Sequence, residues 1–139
     1  MQFTVRTARR SKGGQFVKPD AKIQAAVQRG LAAWGLIITA YAKDLILRGP
    51  KTGHIYGAHQ ASAPGEPPAS DTGRLVSSIR WEFTGSRLAI RVLAGTECAG
   101  YLEFGTSIMA PRPFLRRAIR ETEEQGKRLI DAEIYKSFR

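Results

Sequence analysis

Nucleophilic catalysis needs a serine, cysteine or threonine beside a base that a third group orients. Cys98 is the only cysteine of the chain, and the two histidines, His54 and His59, lie far upstream of it. Ser77 and Ser78 precede an alternating apolar run but lack the glycines of a hydrolase elbow. No glycine-rich stretch carries the G-x-x-x-x-G-K-[ST] spacing that cradles phosphates. Glu97 and Glu103 are the two carboxylates that could divide acid and base roles, yet glutamates flanking a short strand are commonly surface or interface charges. Two histidines with no third ligand nearby do not make a metal site. The expectation is a protein with no catalytic, metal or cofactor site, hence not an enzyme.

The elements that would position these residues are legible in the apolar spacing. Asp20 can accept hydrogen bonds from the open donors of a first helical turn. Ile23, Val27, Leu31, Trp34, Ile38, Tyr41 and Leu45 then recur at three- and four-residue steps, up to Gly49-Pro50, where a helix would stop. At ~1.5 Å per residue that helix could reach roughly 40 Å. Alternation predicts strands over Ile79–Phe83, Leu88–Leu93 and Tyr101–Phe104, with a turn at Thr84-Gly85-Ser86. Asp71 or Thr72 could cap a short turn through Arg74 to Ser78. A last helix, from about Pro113 to Phe138, has a polar middle between Arg120 and Arg128 that should protrude from the body. Two helices flanking a small antiparallel sheet make an α+β fold, with a long Gly/Pro-rich loop over residues 51–70.

Composition agrees with a folded chain. At 139 residues, 42% hydrophobic and 24% charged, it reads as one domain over residues 1–139, long enough to bury a core. The start of the chain has no apolar signal core, and the apolar run from Leu31 to Ala42 falls short of the ~20 residues of a membrane span. The expectation is therefore a soluble intracellular protein with no membrane partner. The net charge of +10 invites nucleic-acid binding. The N-terminal arm, residues 1–19, concentrates Arg6, Arg9, Arg10, Lys12 and Lys18, and the first four are the candidate DNA-facing residues. The final helix mixes both signs, as solvated helix faces do.

Two blocks carry a more specific signal. The first is His59-Gln60-Ala61-Ser62-Ala63-Pro64-Gly65-Glu66-Pro67-Pro68-Ala69, followed by Asp71-Thr72-Gly73-Arg74-Leu75-Val76-Ser77-Ser78-Ile79. The second runs from Tyr101-Leu102-Glu103-Phe104-Gly105-Thr106 to Pro111-Arg112-Pro113-Phe114-Leu115. They resemble the "A-S-x-P-G-E-x-P-A … T-G-x-L-x-x-S-I" and "E-F-G-T … P-F-L-x-x-A" patterns of the phage tail-component family typified by the HK-ninety-seven gene-ten product. The resemblance covers the chain from about Thr52 to the C-terminus. It implies a structural virion protein of the neck or tail-completion type, a homo-oligomeric ring joining head to tail and assembled in the host cytoplasm. Head-closure and tail-tube proteins would be its partners, and DNA would make transient contact.

On that resemblance the interface candidates are Pro64, Gly65, Glu66, Glu103, Phe104, Gly105, Thr106, Pro113 and Phe114. Phe104 and Phe114 should be buried, and Gly105 should need positive φ. Glu103 should point away from the core, either as an inter-subunit partner or as a solvated edge charge. The loop over residues 51–70 should gain its order from a neighbour. The alternatives are a basic nucleic-acid-binding module and, more weakly, an enzyme completed by a neighbouring subunit.

Overall fold

The computed structural model describes residues 1–6 and 20–139, so Arg9, Arg10, Lys12 and Lys18 of the basic arm lie outside the described residues. In chain order the elements are β1 (Gln2–Arg6), α1 (Ala21–Arg48), β2 (Ile55–Tyr56), β3 (His59–Gln60), α2 (Arg74–Ser78), β4 (Ile79–Phe83), β5 (Ala89–Ala94), α3 (Cys98–Phe104) and α4 (Leu115–Ser137). The fold is α+β: the long N-terminal helix α1 packs against a small antiparallel sheet and, on another face, against the C-terminal helix α4.

The spacing in α1 becomes two buried faces. Asp20 caps it, its Oδ1 accepting from Ile23 N–H at 2.8 Å, and Gly49 N–H returns to Leu45 O at the far end. One face lies on the sheet, where Leu31, Ile38 and Ile46 join Ile79, Ile90 and Val92 in a single core cluster. The other lies on α4. By length and composition α1 is long and apolar enough to cross a membrane, which measuring only the uninterrupted apolar run did not reveal.

The sheet runs β1-β5-β4, all antiparallel, with Thr4 opposite Arg91 and Arg91 opposite Glu82. Its third strand thus comes from the N-terminus. Residues 101–104, expected as a strand, belong to α3 instead. Four alternating residues also fit one helical turn: Ala99 and Glu103, four apart, are both fully buried while Tyr101 and Phe104 are exposed. Gly105 N–H closes that helix on Tyr101 O at 2.8 Å.

The polar middle of α4 does not protrude. Thr122 and Gly126 are buried against α1. Trp34 Nε1–H donates to Thr122 Oγ1 at 3.0 Å, and that hydroxyl donates to Ala118 O at 2.7 Å. Gly126 lies directly on the Trp34 ring, so that any Cβ there would collide with the indole. A residue with no side chain and a threonine with an internal acceptor let a polar stretch pack against an indole. Tyr41 O–H donates to Glu121 at the edge of the same seam. This keeps the Tyr41 phenol above its ordinary range and the Glu121 carboxyl below its own. Helix α2 starts after Gly73, and the Thr72 hydroxyl, one of the two expected caps, accepts from Arg74 N–H at 3.5 Å.

Candidate functional site

The start of α4 has no capping side chain of its own, so its first N–H groups need acceptors from elsewhere. Glu103, at the end of α3, supplies them. Its Oε2 accepts from Phe114 N–H at 2.9 Å and Leu115 N–H at 3.0 Å, while Oε1 accepts from Arg116 N–H at 3.0 Å. Arg116 closes the arrangement, Nε–H donating to Oε1 and Nη2–H to the Glu103 carbonyl, both at 3.1 Å. A carboxylate at a helix N-terminus also meets the positive end of the helix dipole.

Glu103 is therefore fully buried, which corrects the expectation that it points away from the core. Its burial is tolerable because backbone donors and a guanidinium satisfy the charge. The two readings kept open for Glu103, inter-subunit partner and solvated edge charge, both assumed a strand. On a helix end its side chain turns inward to the next helix. This was the functional residue most misplaced by sequence reasoning, and the Glu103-x-Gly105 to Phe114 spacing around a proline-bounded crossover was the available clue.

The remaining corner residues divide between core and surface. Phe114 is fully buried, as expected. Phe104 is not: it is 54% exposed, its ring 5.9 Å from Phe3 and covered by the Arg116 guanidinium at 4.9 Å. Gly105 has φ +74°, and a Cβ there would meet Met109 O at 2.7 Å and Pro111 N at 2.9 Å. Thr106 is exposed; its N–H donates to Met109 O at 2.8 Å and its hydroxyl accepts from Ile108 N–H at 3.3 Å. Pro113 lies just before the N-cap position at Phe114 rather than within the first turn. Arg112 N–H donates to Leu102 O, while its Nε is buried with no hydrogen-bond partner among the described residues.

The other block forms a second clasp. Glu66 Oε2 accepts from Thr52 N–H at 2.9 Å and Ala63 N–H at 2.8 Å, and Oε1 accepts from the Thr52 hydroxyl at 2.5 Å. The Thr52 hydroxyl foremost, then the two N–H groups, holds the Glu66 carboxyl below its ordinary value. Pro67 and Pro68 are fully buried, whereas Pro64 and Gly65 are exposed. The long Gly/Pro-rich loop expected over residues 51–70 thus carries internal hydrogen bonds and the β2–β3 ribbon. Gly65 N–H donates to Pro111 O at 3.1 Å, which brings the two sequence blocks together on one surface. Of the basic candidates, Arg6 ends β1 and is exposed. No family model, curated protein or solved structure matches this chain.

Proposed function

We propose that the chain is a structural virion-assembly protein, a ring-forming neck or tail-completion component that joins phage head to tail. Its mechanism is geometric, with no bond made or broken. The observation that carries the reading is the presentation of Ile108. This side chain is 96% exposed on a crossover tied by Thr106, Gly105 and Pro111, beside the Gly65–Pro111 contact that joins the two family-like blocks. A solvated isoleucine on a hydrogen-bonded crossover, four residues beyond the exposed Phe104, supports a contact with a neighbouring protein better than a role within its own subunit.

The test is Ile108→Asp. The variant should melt with the wild type, because the side chain buries nothing, yet lose oligomer formation and the joining of purified heads to tails. A wild-type chain that neither oligomerises nor binds heads or tail tubes would sink the reading.

A second reading, a nucleic-acid-binding module, draws on the sheet face turned away from α1. There the strand register places Arg6, Arg80 and Arg91, with Glu82 paired to Arg91 at 3.7 Å. Affinity for duplex DNA that falls steeply with added salt would favour it.

A further inference from the structure

The β1-β5-β4 sheet ends in two edges whose backbone groups are open. Thr84 N–H donates to Ala89 O, and Ala94 N–H donates to Met1 O, which fixes the phase of both ladders. Alternation along an antiparallel pair then turns the backbone of Arg80 and Glu82 toward β5, and that of Ile79, Trp81 and Phe83 away from it. Ile79 N–H is taken by Val76 O at the end of α2. The Trp81 and Phe83 N–H groups and the Ile79, Trp81 and Phe83 carbonyls have no partner among the described residues. On the other edge the same alternation turns out the N–H and C=O groups of Gln2, Thr4 and Arg6, which are likewise unpaired among the described residues.

The two edges match each other. β1 and β4 are both antiparallel to β5, so they point the same way, and copies repeating side by side would bring them together in parallel. In a parallel pair, residues alongside each other share a face, and only one of the two aims its backbone at the partner. That is the arrangement here: β1 offers the backbone of residues facing away from α1, and β4 that of residues facing α1. With Thr4 alongside Glu82 of the next copy, Thr4 N–H reaches Trp81 O and Phe83 N–H reaches Thr4 O. Gln2 N–H likewise reaches Ile79 O, Trp81 N–H reaches Gln2 O, and Arg6 N–H reaches Phe83 O. Every open group of β4 is satisfied, and the occupied Ile79 N–H is not needed. On the α1 side this register sets Phe3 beside Trp81 and Val5 beside Phe83, and Phe3, Trp81 and Phe83 are only partly buried within one chain. A two-fold pairing of β4 with itself, centred on Trp81, would match Phe83 O to the occupied Ile79 N–H and leave β1 open.

We propose that β4 of one copy pairs in parallel with β1 of the next, so that one sheet continues from subunit to subunit. The contact joins different surfaces, is therefore heterologous, and leaves no sheet edge once a ring closes. This rests on the assembly reading above and supplies that assembly with its repeating contact.

Thr4→Cys combined with Glu82→Cys tests it, in a chain whose only cysteine is removed by Cys98→Ser. Within one chain the two positions flank Arg91 on neighbouring strands. At ~4.8 Å per strand they lie about 10 Å apart, beyond the ~7 Å that a disulfide spans between Cα atoms. Between copies they are adjacent. Mild oxidation should give a ladder of dimers, trimers and larger species on a non-reducing gel, and neither single cysteine should give one. Separately, Thr4→Pro removes an outward N–H, which an edge strand tolerates. It should melt with the wild type and weaken self-association at least tenfold; unchanged association would overturn the contact. A wild type that oligomerises by light scattering, with no ladder from the cysteine pair, overturns this contact and leaves assembly standing. A wild type that stays monomeric, with no ladder, overturns both. Dimers from Arg80→Cys with Glu82→Cys, and no ladder from the first pair, would mark two-fold pairing of β4 and also overturn it.

Discussion

Glu103 gathers three backbone N–H groups at the start of α4 with its side chain wholly out of water. Glu66 gathers two N–H groups and a hydroxyl at the foot of a surface loop. Both carboxylates close a crossover by accepting donors that the local backbone leaves open. The surroundings set their weight. Around Glu103 water cannot readily replace the acceptor of the buried Phe114 and Leu115 N–H groups, so the helix start depends on one group, while the Arg116 side chain, 45% exposed, keeps access to solvent. Around Glu66 water can take over each bond, so the clasp shapes the loop without holding the body together.

The comparison is most easily broken at Glu103. Replacing it with alanine leaves three helix donors, two of them buried, without their acceptor, which should destabilise the fold by about 3 kcal/mol. Urea denaturation at unchanged slope would measure it, and a loss below about 1 kcal/mol would mean that α4 finds another cap.

Gly105→Val should have the next largest effect, roughly 1–3 kcal/mol, because a β-branched residue is strained at positive φ. Its Cβ would also press on Met109 O. A variant that melts with the wild type would show that the crossover can be redrawn without disturbing Glu103.

The smallest effect is the acid response of the Glu66 clasp. Its carboxyl titrates below the ordinary value of 4.5 in the folded chain. The clasp's contribution is therefore fully present above that value and is lost as pH falls through the depressed folded one. Amide protection of Thr52 and Ala63 should fall over that window while α1 and α4 keep theirs. In Glu66→Gln the response should vanish. Equal protection at both ends of the titration would remove Glu66 as the loop's fastener.

Long periodic segments were legible because their spacing has one physical solution. The apolar steps from Ile23 to Leu45 suit a helix and nothing else, and Asp20 marks its start. Short segments were ambiguous for the opposite reason. Tyr101 to Phe104 is four residues, and four residues satisfy a strand and a helical turn equally well. The tie was broken by Ala99 and Glu103 facing inward together, a property of packing that no local pattern contains. The same blindness put Phe104 inside and placed the middle of α4 in solvent.

By itself the sequence determined the α+β class, the extents of α1 and α4, the positive φ of Gly105, the burial of Phe114 and the pairing of β4 with β5. Each follows from local steric rules or from apolar periodicity over many residues. Only the tertiary structure decided that β1 completes the sheet and that Gly126 seats the Trp34 indole. It alone decided that Gly65 reaches Pro111 and that Glu103 caps a helix beginning twelve residues later. These depend on groups far apart in the chain satisfying one another's donors and volumes, and such matching exists only once the backbone has brought them together.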